Sequence, residues 1–230
     1  MAFVLRRTVS KCANKVGISR LSSYFPAPVR CGHWAGGCEA AIHSARRYLE
    51  TLPPDHVLVK LDFSNAFNNL HRLDMLNAVY DRLPDLYPYC ISAYSQPSVL
   101  FYGSFILMSN EGPQQGDPLA PLLFSNTVQP LLLSRQTGLV LGFLDDFSLD
   151  HQNQVARDVQ QIIEVGVRMG LSLNVSKCEV IADPATTITD PLLQSFERIA
   201  TQDAILVHRY FWVQILTMLG LNAVPISPEQ

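Results

Sequence analysis

Two short apolar runs that carry carboxylates constrain this chain more than any other feature. His56-Val57-Leu58-Val59-Lys60-Leu61-Asp62 is short, rich in β-branched residues, and reads as a buried strand ending on an acid. Leu139 to Leu149 is a second apolar stretch, broken by Asp145-Asp146. It reads as a β-hairpin with the two carboxylates at its tip. Burying a bare carboxylate is costly, so acids in such company need partners. Two β elements can lie side by side in one sheet, and Asp62 then faces Asp145 across it. Convergent carboxylates are hard oxygen ligands, and Mg²⁺ takes one or two of them plus substrate phosphates. Two such ions roughly 3.5–4 Å apart clamp the attacking and leaving oxygens of an in-line phosphoryl transfer. The plainer reading is that Asp-Asp sits at a hairpin turn because aspartate suits turns.

The rest of the chain supplies helices to cover those strands. Glu39 to Leu52 is helical by the spacing of Ala41, Ile42, Ala45 and Leu49, and Pro53-Pro54 end it. Residues 65–83 read as one helix with Leu70, Leu73, Leu76, Val79 and Tyr80 on its inner face. Val99 to Met108, centred on Gly103-Ser104, is a hairpin signal. A loop over 112–118 leads into a helix through Leu131–133, with Asp117 as cap and Pro118 in the first turn. Pro121 and Pro130 warn of an early turn and a kink. Residues 154–169 are amphipathic through Val155, Val159, Ile162, Ile163 and Val167, and Gly170 closes that helix. Leu171–Asn174 and Cys178–Ile181 read as short strands around Lys177. Strands returning beside one another, with helices on one face, indicate an α+β fold.

Composition narrows the function classes. The 230 residues are 48 % apolar and 16 % charged, which excludes a disordered tail and leaves enough chain for a real core. A formal charge of −3 excludes a simple polycation that binds nucleic acid by charge alone. Yet residues 1–38 hold Arg6, Arg7, Lys11, Lys15, Arg20 and Arg30 and no acid. That suits a phosphate-facing surface, an organelle transit peptide, or a solvated basic face. The five cysteines contain no C-x-x-C pair, so a finger-type zinc site and a disulfide framework are both unexpected. His33, His43 and the cysteines lack ligand spacing and are read as structural. No apolar run reaches the length of a membrane span, and no secretory signal is evident. An intracellular setting, cytoplasm or nucleus, is expected.

Four segments then become recognisable together. Lys60-Leu61-Asp62-Phe63-Ser64-Asn65-Ala66-Phe67-Asn68 and Phe143-Leu144-Asp145-Asp146 resemble the two catalytic motifs of reverse transcriptases. Between them, Gly112-Pro113-Gln114-Gln115-Gly116-Asp117-Pro118-Leu119 resembles the family's Q-G-D-P-L motif. After them, Gly170-Leu171-Ser172-Leu173-Asn174 with Lys177-Cys178-Glu179 is similar to its G-L-x-L-N…K motif. The order and separations match over roughly Arg6 to Ile181, in the manner of non-LTR retroelement polymerases more than retroviral ones.

The resemblance implies a polymerase palm, an antiparallel sheet with helices packed on one face, plus partial fingers. It implies that Asp62 and Asp145 hold two Mg²⁺ ions with Asp146 supporting the cluster. Phe63 would offer its backbone N–H to the incoming triphosphate. Phe67, five residues past Asp62, would be the steric gate against a ribose 2′-OH; without the motif it reads as a core aromatic. Gln115 and Gly116 would approach the template base and nucleotide. Lys177 would sit near the triphosphate as a general acid for pyrophosphate, and Arg6, Arg7 and Lys11 would face template or triphosphate. The implied partners are an RNA or DNA template with its primer and a dNTP, with no membrane.

The implied organisation is partial fingers over 1–55, palm over 56–185, and a divergent helical segment over 186–230 too short for a full thumb. The family's arginine-proline-isoleucine segment, a primer-grip hairpin and an endonuclease domain are not recognisable. The expected function is a reverse transcriptase core. The alternatives are a non-catalytic nucleic-acid-binding remnant of such a polymerase, and a related palm polymerase using ribonucleotides, which Phe67 argues against.

Overall fold

A computed structural model describes residues 2–25, 37–133, 139–143, 146–150 and 154–204. Along the chain come α1 (Ala2–Arg20), α2 (Gly37–Glu50), β1 (Val57–Leu61), α3 (Ala66–Asn69), α4 (Arg72–Arg82), α5 (Tyr87–Tyr94), the hairpin β2 (Ser98–Tyr102) and β3 (Phe105–Ser109), and α6 (Ala120–Leu133). Then follow β4 (Val140–Phe143), β5 (Asp146–Asp150), α7 (Val155–Arg168), β6 (Glu179–Ala182), α8 (Pro191–Gln194) and β7 (Glu197–Ala200). The main sheet runs β4-β5-β1-β6-β7. Its first four strands pair antiparallel, and β7 joins β6 in parallel. This is the mixed α+β architecture expected from the sequence.

Alternation along the strands decides which side chains are buried. Val57, Val59 and Leu61 of β1, Phe147 and Leu149 of β5, and Val180 and Ala182 of β6 face one side. There they meet Phe124, Val128, Leu131 and Leu132 of α6 and Val155, Val159 and Ile162 of α7. Each fully buried side chain of this kind contributes about 1.5–3 kcal/mol. The intervening residues Leu58 and Ile181 point the other way and pack on Leu49 of α2 and Ala204. A second core joins α1, α4, α5 and α6 through Ala13, Met75, Val79, Cys90, Tyr94, Leu119 and Leu122. Helix α6 is therefore buried nearly all round, its polar Ser125, Asn126, Thr127 and Gln129 included, and only Pro121, Pro130 and Leu133 escape full burial within it. It continues through Pro130 to Leu133.

The structure departs from the sequence reading in five places. The helix expected over 65–83 is two, because Leu70 and His71 are extended (ψ 125° and 124°). Their backbone groups are taken by other segments: Gly112 N–H donates to Leu70 O at 2.8 Å, and His71 N–H to Met169 O at 2.8 Å. The helix restarts at Arg72 with a new face, which buries Met75 and Val79 and leaves Leu73 and Tyr80 exposed. Neither helix α1 nor helix α5 was foreseen. Leu171–Asn174 is not a strand; it makes one antiparallel bridge, Phe63 to Leu173. Finally, β7 puts a fifth strand in the sheet beyond residue 185, inside the stretch read as helical. Among the described residues, no helix is long and apolar enough to cross a membrane.

Candidate active site

The four motif segments meet at one end of β1. Asp62 follows directly on that strand, which lies between β5 and β6. Its backbone is fixed from the β6 side: Asn174 N–H donates to Asp62 O at 2.8 Å, and Asp62 N–H donates to Cys178 Sγ at 3.5 Å. The Cys178 thiol, whose ionisation burial pushes upward, donates back to Asp62 O at 3.8 Å. On the other side, β1 and β5 pair Lys60 with Ser148 and Leu61 with Phe147. The pairing ends there, and the next residues of the two chains are Asp62, just past β1, and Asp146, the first residue of β5. Asp146 opens β5 opposite Phe143 of β4. Asp145 lies outside the described residues.

Asp62 itself is half-buried. The lysine two residues before it is ion-paired to Glu179 (Lys60 Nζ to Oε1, 3.4 Å). Among the described residues, no cationic side chain forms an ion pair with Asp62. A half-buried carboxylate without a cationic partner is by its donor chemistry a hard oxygen ligand for a divalent cation; among the described residues no group of three His, Cys, Asp or Glu side chains forms a metal site.

Phe63 turns its ring into the core, 4 % exposed, edge-on to Phe147 at 5.3 Å. Its bridge to Leu173 is of the kind in which the flanking residues bond: Ser64 N–H to Ser172 O at 2.8 Å and Asn174 N–H to Asp62 O. The Phe63 N–H stays out of that pairing. The chain then turns through Asn65 in the left-handed region (φ 48°), held by Asn68 Nδ2 to Asn65 Oδ1 at 2.6 Å and Asn69 Nδ2 to Ser64 O at 3.1 Å. This turn presents Phe67, half-buried, stacked on Phe124 with centroids 4.4 Å apart and planes 6° from parallel. The 112–118 loop crosses close behind it. A Cβ on Gly112 (φ 67°) would fall 1.8 Å from Phe67 O, so only glycine permits this approach.

The loop's next residues line a cavity of about 200 Å³ together with α1: Arg6, Arg7, Ser10, Gln114, Gln115, Gly116 and Asp117. Four residues singled out in the sequence, Arg6, Arg7, Gln115 and Gly116, thus share one concavity. Lys11 is exposed on α1 and is not among its lining residues. Lys177 is exposed on the short turn over 175–177, whose start, Asn174, is bonded to Asp62.

Three residues of this region were not legible in the sequence. Arg72 is buried and ties α4 to the loop: its Nε donates to Gly112 O at 3.0 Å, its Nη2 to Ser109 Oγ at 2.8 Å and its Nη1 to Gln96 O at 3.4 Å. Its backbone N–H donates to Glu111 Oε2 at 2.6 Å. Tyr94 donates its phenol to Asp117 Oδ2 at 2.7 Å, and burial followed by the Asp117 charge holds that phenol protonated far above its ordinary range. Asp117 was read as a helix cap and as part of the Q-G-D-P-L segment, without partners. It does accept from Leu119 N–H at 2.9 Å, but it also joins Tyr94 and Arg6.

Comparison with known proteins agrees with the fold. No curated protein matches by sequence. Among solved structures, apo telomerase from Candida tropicalis is similar with a TM-score of 0.57 at 13 % identity, over 78 % of this chain and 37 % of that one. Telomerase from Candida tropicalis with a TWJ fragment of telomeric RNA gives 0.59 at 13 % identity, over 80 % and 35 %. Telomerase from Candida albicans with the same kind of fragment gives 0.57 at 13 % identity, over 78 % and 36 %. At such identities the likeness is one of fold, and this chain spans little more than a third of those proteins. The sequence itself matches a family over residues 4–222, well past Ile181, where the motifs stop. With nearly its whole length so matched, the chain belongs to the reverse transcriptase (RNA-dependent DNA polymerase) family.

Proposed function

We propose that the chain is the catalytic core of an RNA-directed DNA polymerase of non-LTR retroelement type, adding dNTPs to a primer 3′-OH on an RNA or DNA template. The observation that supports this reading is the meeting of the motif segments at one sheet end, where Asp62 follows β1 and is bonded to Asn174 while Asp146 opens the neighbouring β5. Asp62, Asp145 and Asp146 would hold two Mg²⁺ ions. When bound, such ions neutralise charge on the transferring phosphoryl group. The chain's own part is positioning and electrostatics. Arg6 and Arg7 face the nucleotide's phosphates, with Gln115 and Gly116 forming the opposite wall. The Phe63 N–H is available to the triphosphate. Phe67, braced by Phe124 and the Gly112 backbone, crowds a 2′-OH. Lys177 stands at the rim as proton donor to the leaving pyrophosphate. Base pairing selects the sequence, so duplex recognition is by shape and backbone. Residues 1–55 serve as partial fingers, 56–185 as palm and 186–230 as the start of a thumb.

Primer extension on an RNA template with Mg²⁺ and dNTPs tests this. The chain should extend the primer, and Asp62→Ala or Asp145→Ala should cut the rate by at least about 100-fold. Template binding with no extension by the unaltered chain would instead mark a non-catalytic remnant. Equal extension with rNTPs would remove the gate role of Phe67, and Phe67→Ala should admit rNTPs if the role is right.

A further inference from the structure

The side chain of Asp117 is 4 % exposed, an unusual place for a carboxylate that caps a helix at a loop. Its two oxygens divide the work. Oδ1 accepts from Leu119 N–H at 2.9 Å and so fixes the turn from the 112–118 loop into α6. Oδ2 reaches outward: it accepts the Tyr94 phenol at 2.7 Å and lies 3.5 Å from Arg6 Nη2. The Asp117 N–H also closes the loop by donating to Gln114 O at 3.0 Å, across Gln115 and Gly116.

Arg6 is held by charge and by ring contact. Its guanidinium lies 5.4 Å from the Tyr94 centroid, and Arg72 lies 5.6 Å from that same ring. Two cations share one aromatic ring, and Asp117 supplies the negative charge between them and the loop. Arg6 Nη2 is buried yet makes no hydrogen bond, so it keeps donor capacity beside the cavity it lines with Gln115 and Gly116. At about 200 Å³ that cavity is smaller than a drug-sized ligand site and suits only part of a nucleotide. Helix α1 is seated independently on α5 by Ser10 Oγ and Tyr89 OH, 2.6 Å apart.

We propose that Asp117 is a positioning residue: through Tyr94 and Arg6 it sets the arginine on α1 and the Gln115–Gly116 turn at a fixed separation, and thereby the affinity for the incoming nucleotide. This rests on the polymerase reading above. Replacing the carboxylate by an amide keeps the size and the cap but removes the charge that holds Arg6 against Arg72. The arginine then shifts while the carboxylates at the end of β1 are untouched, so nucleotide binding weakens and the chemical step does not.

The test is steady-state primer extension with the full chain, with mant-dATP binding to the chain–primer–template complex measured in parallel and thermal melts of each variant. Asp117→Asn should raise KM for dNTP about tenfold with kcat within about threefold. Tyr94→Phe, which keeps the ring and loses the bond, should raise it about threefold. Arg6→Gln should match Asp117→Asn, and the double variant should be no worse than either alone, because both break one link. KM within twofold of the unaltered chain for Asp117→Asn and Tyr94→Phe, with only the melting temperature lowered, would overturn the proposal, as would independent multiplication of the Arg6 and Asp117 effects. A chain that neither extends nor binds mant-dATP removes the polymerase reading and this inference with it; a chain that extends normally with unaltered KM in Asp117→Asn removes this inference alone.

Discussion

The centre of the main sheet and the β2–β3 hairpin are built from similar material and end in opposite surroundings. Both are antiparallel pairs of five-residue strands, and β1, β2 and β3 read as nearly continuous apolar runs, while β5 alternates apolar with polar. In the sheet, Val59, Leu61, Phe147 and Leu149 are at most 1 % exposed. In the hairpin, Phe101 is 78 % exposed, Phe105 66 % and Ile106 65 %. A continuous apolar run makes a good strand in either place, but burial comes from what other elements lay over it. Helices α6 and α7 cover one face of the sheet, whereas the hairpin is a separate two-stranded ribbon. Strand formation is therefore local information here, and burial is not.

The largest expected contrast is in stability. Leu61→Ala opens a cavity among Phe63, Phe147 and α6–α7 neighbours and should cost about 2–5 kcal/mol. Ile106→Ala on the hairpin should cost less than about 1 kcal/mol, since little packing is lost. Urea unfolding of both variants measures the difference. Equal costs would mean that the hairpin is covered in solution.

Next in size is a pair of glycines with the same backbone sign. Gly112 (φ 67°) has Phe67 O where a Cβ would go; Gly103 (φ 59°), at the hairpin turn, has nothing within 4 Å. Gly103→Ala should cost only the left-handed strain, about 1–2 kcal/mol. Gly112→Ala adds a collision with backbone and should exceed it by about 1–3 kcal/mol. The Gly112 change should also displace Phe67, so dNTP-over-rNTP discrimination in primer extension should fall in that variant and not in Gly103→Ala.

The contrast also explains what could be read from the sequence. Strand β1, both hairpins, α6 and α7 were legible because apolar period, turn residues and caps are encoded within a few positions. The break at Leu70–His71 was not, because the groups that cause it, Gly112 N–H and Met169 O, come from distant segments. Helix α5 is short and carries Pro88, which masks it. At the site, Asp62 announced itself as an acid ending an apolar strand. Asp117 was visible as a cap and within the Q-G-D-P-L segment but not as a partner of Tyr94 and Arg6, which lie 23 and 111 positions away. The one available signal was an acid flanked by apolar and proline residues, with its counter-charge nowhere near in sequence.

A smaller effect tests how abruptly burial stops before the hairpin. Just upstream of β2, Cys90 is 0 % exposed and Tyr94 1 %. Burial, and then the Asp117 charge, push the Cys90 thiol up to about 12 and the Tyr94 phenol up further. The folded chain therefore keeps these protons at pH values where the unfolded chain has lost them, with ordinary values of about 8.5 and 10. Their contribution is fully present below about pH 8.5 and declines as pH rises from there towards 12. Urea midpoints should fall across that window, and Cys90→Ala should flatten its lower part. At pH 8, mass spectrometry after alkylation should find the exposed Cys12 modified well before Cys90.

The smallest change in stability should accompany a large change in behaviour. Val99, Leu100, Phe101, Phe105, Ile106, Leu107 and Met108 are all at least 47 % exposed on one ribbon whose twelve residues from Ser98 to Ser109 carry no charge. A flat, uncharged, apolar ribbon is a template for association through its strand edges. Phe101→Lys with Phe105→Lys sets two like charges at the hairpin's end, where β2 and β3 run side by side. Because neither side chain is buried, the urea midpoint should move by no more than about 1 kcal/mol equivalent. Light scattering at rising concentration should show the unaltered chain associating before the variant does. If the variant instead unfolds readily, those two rings pack against something in solution, and the sheet and the hairpin differ less than their exposures state.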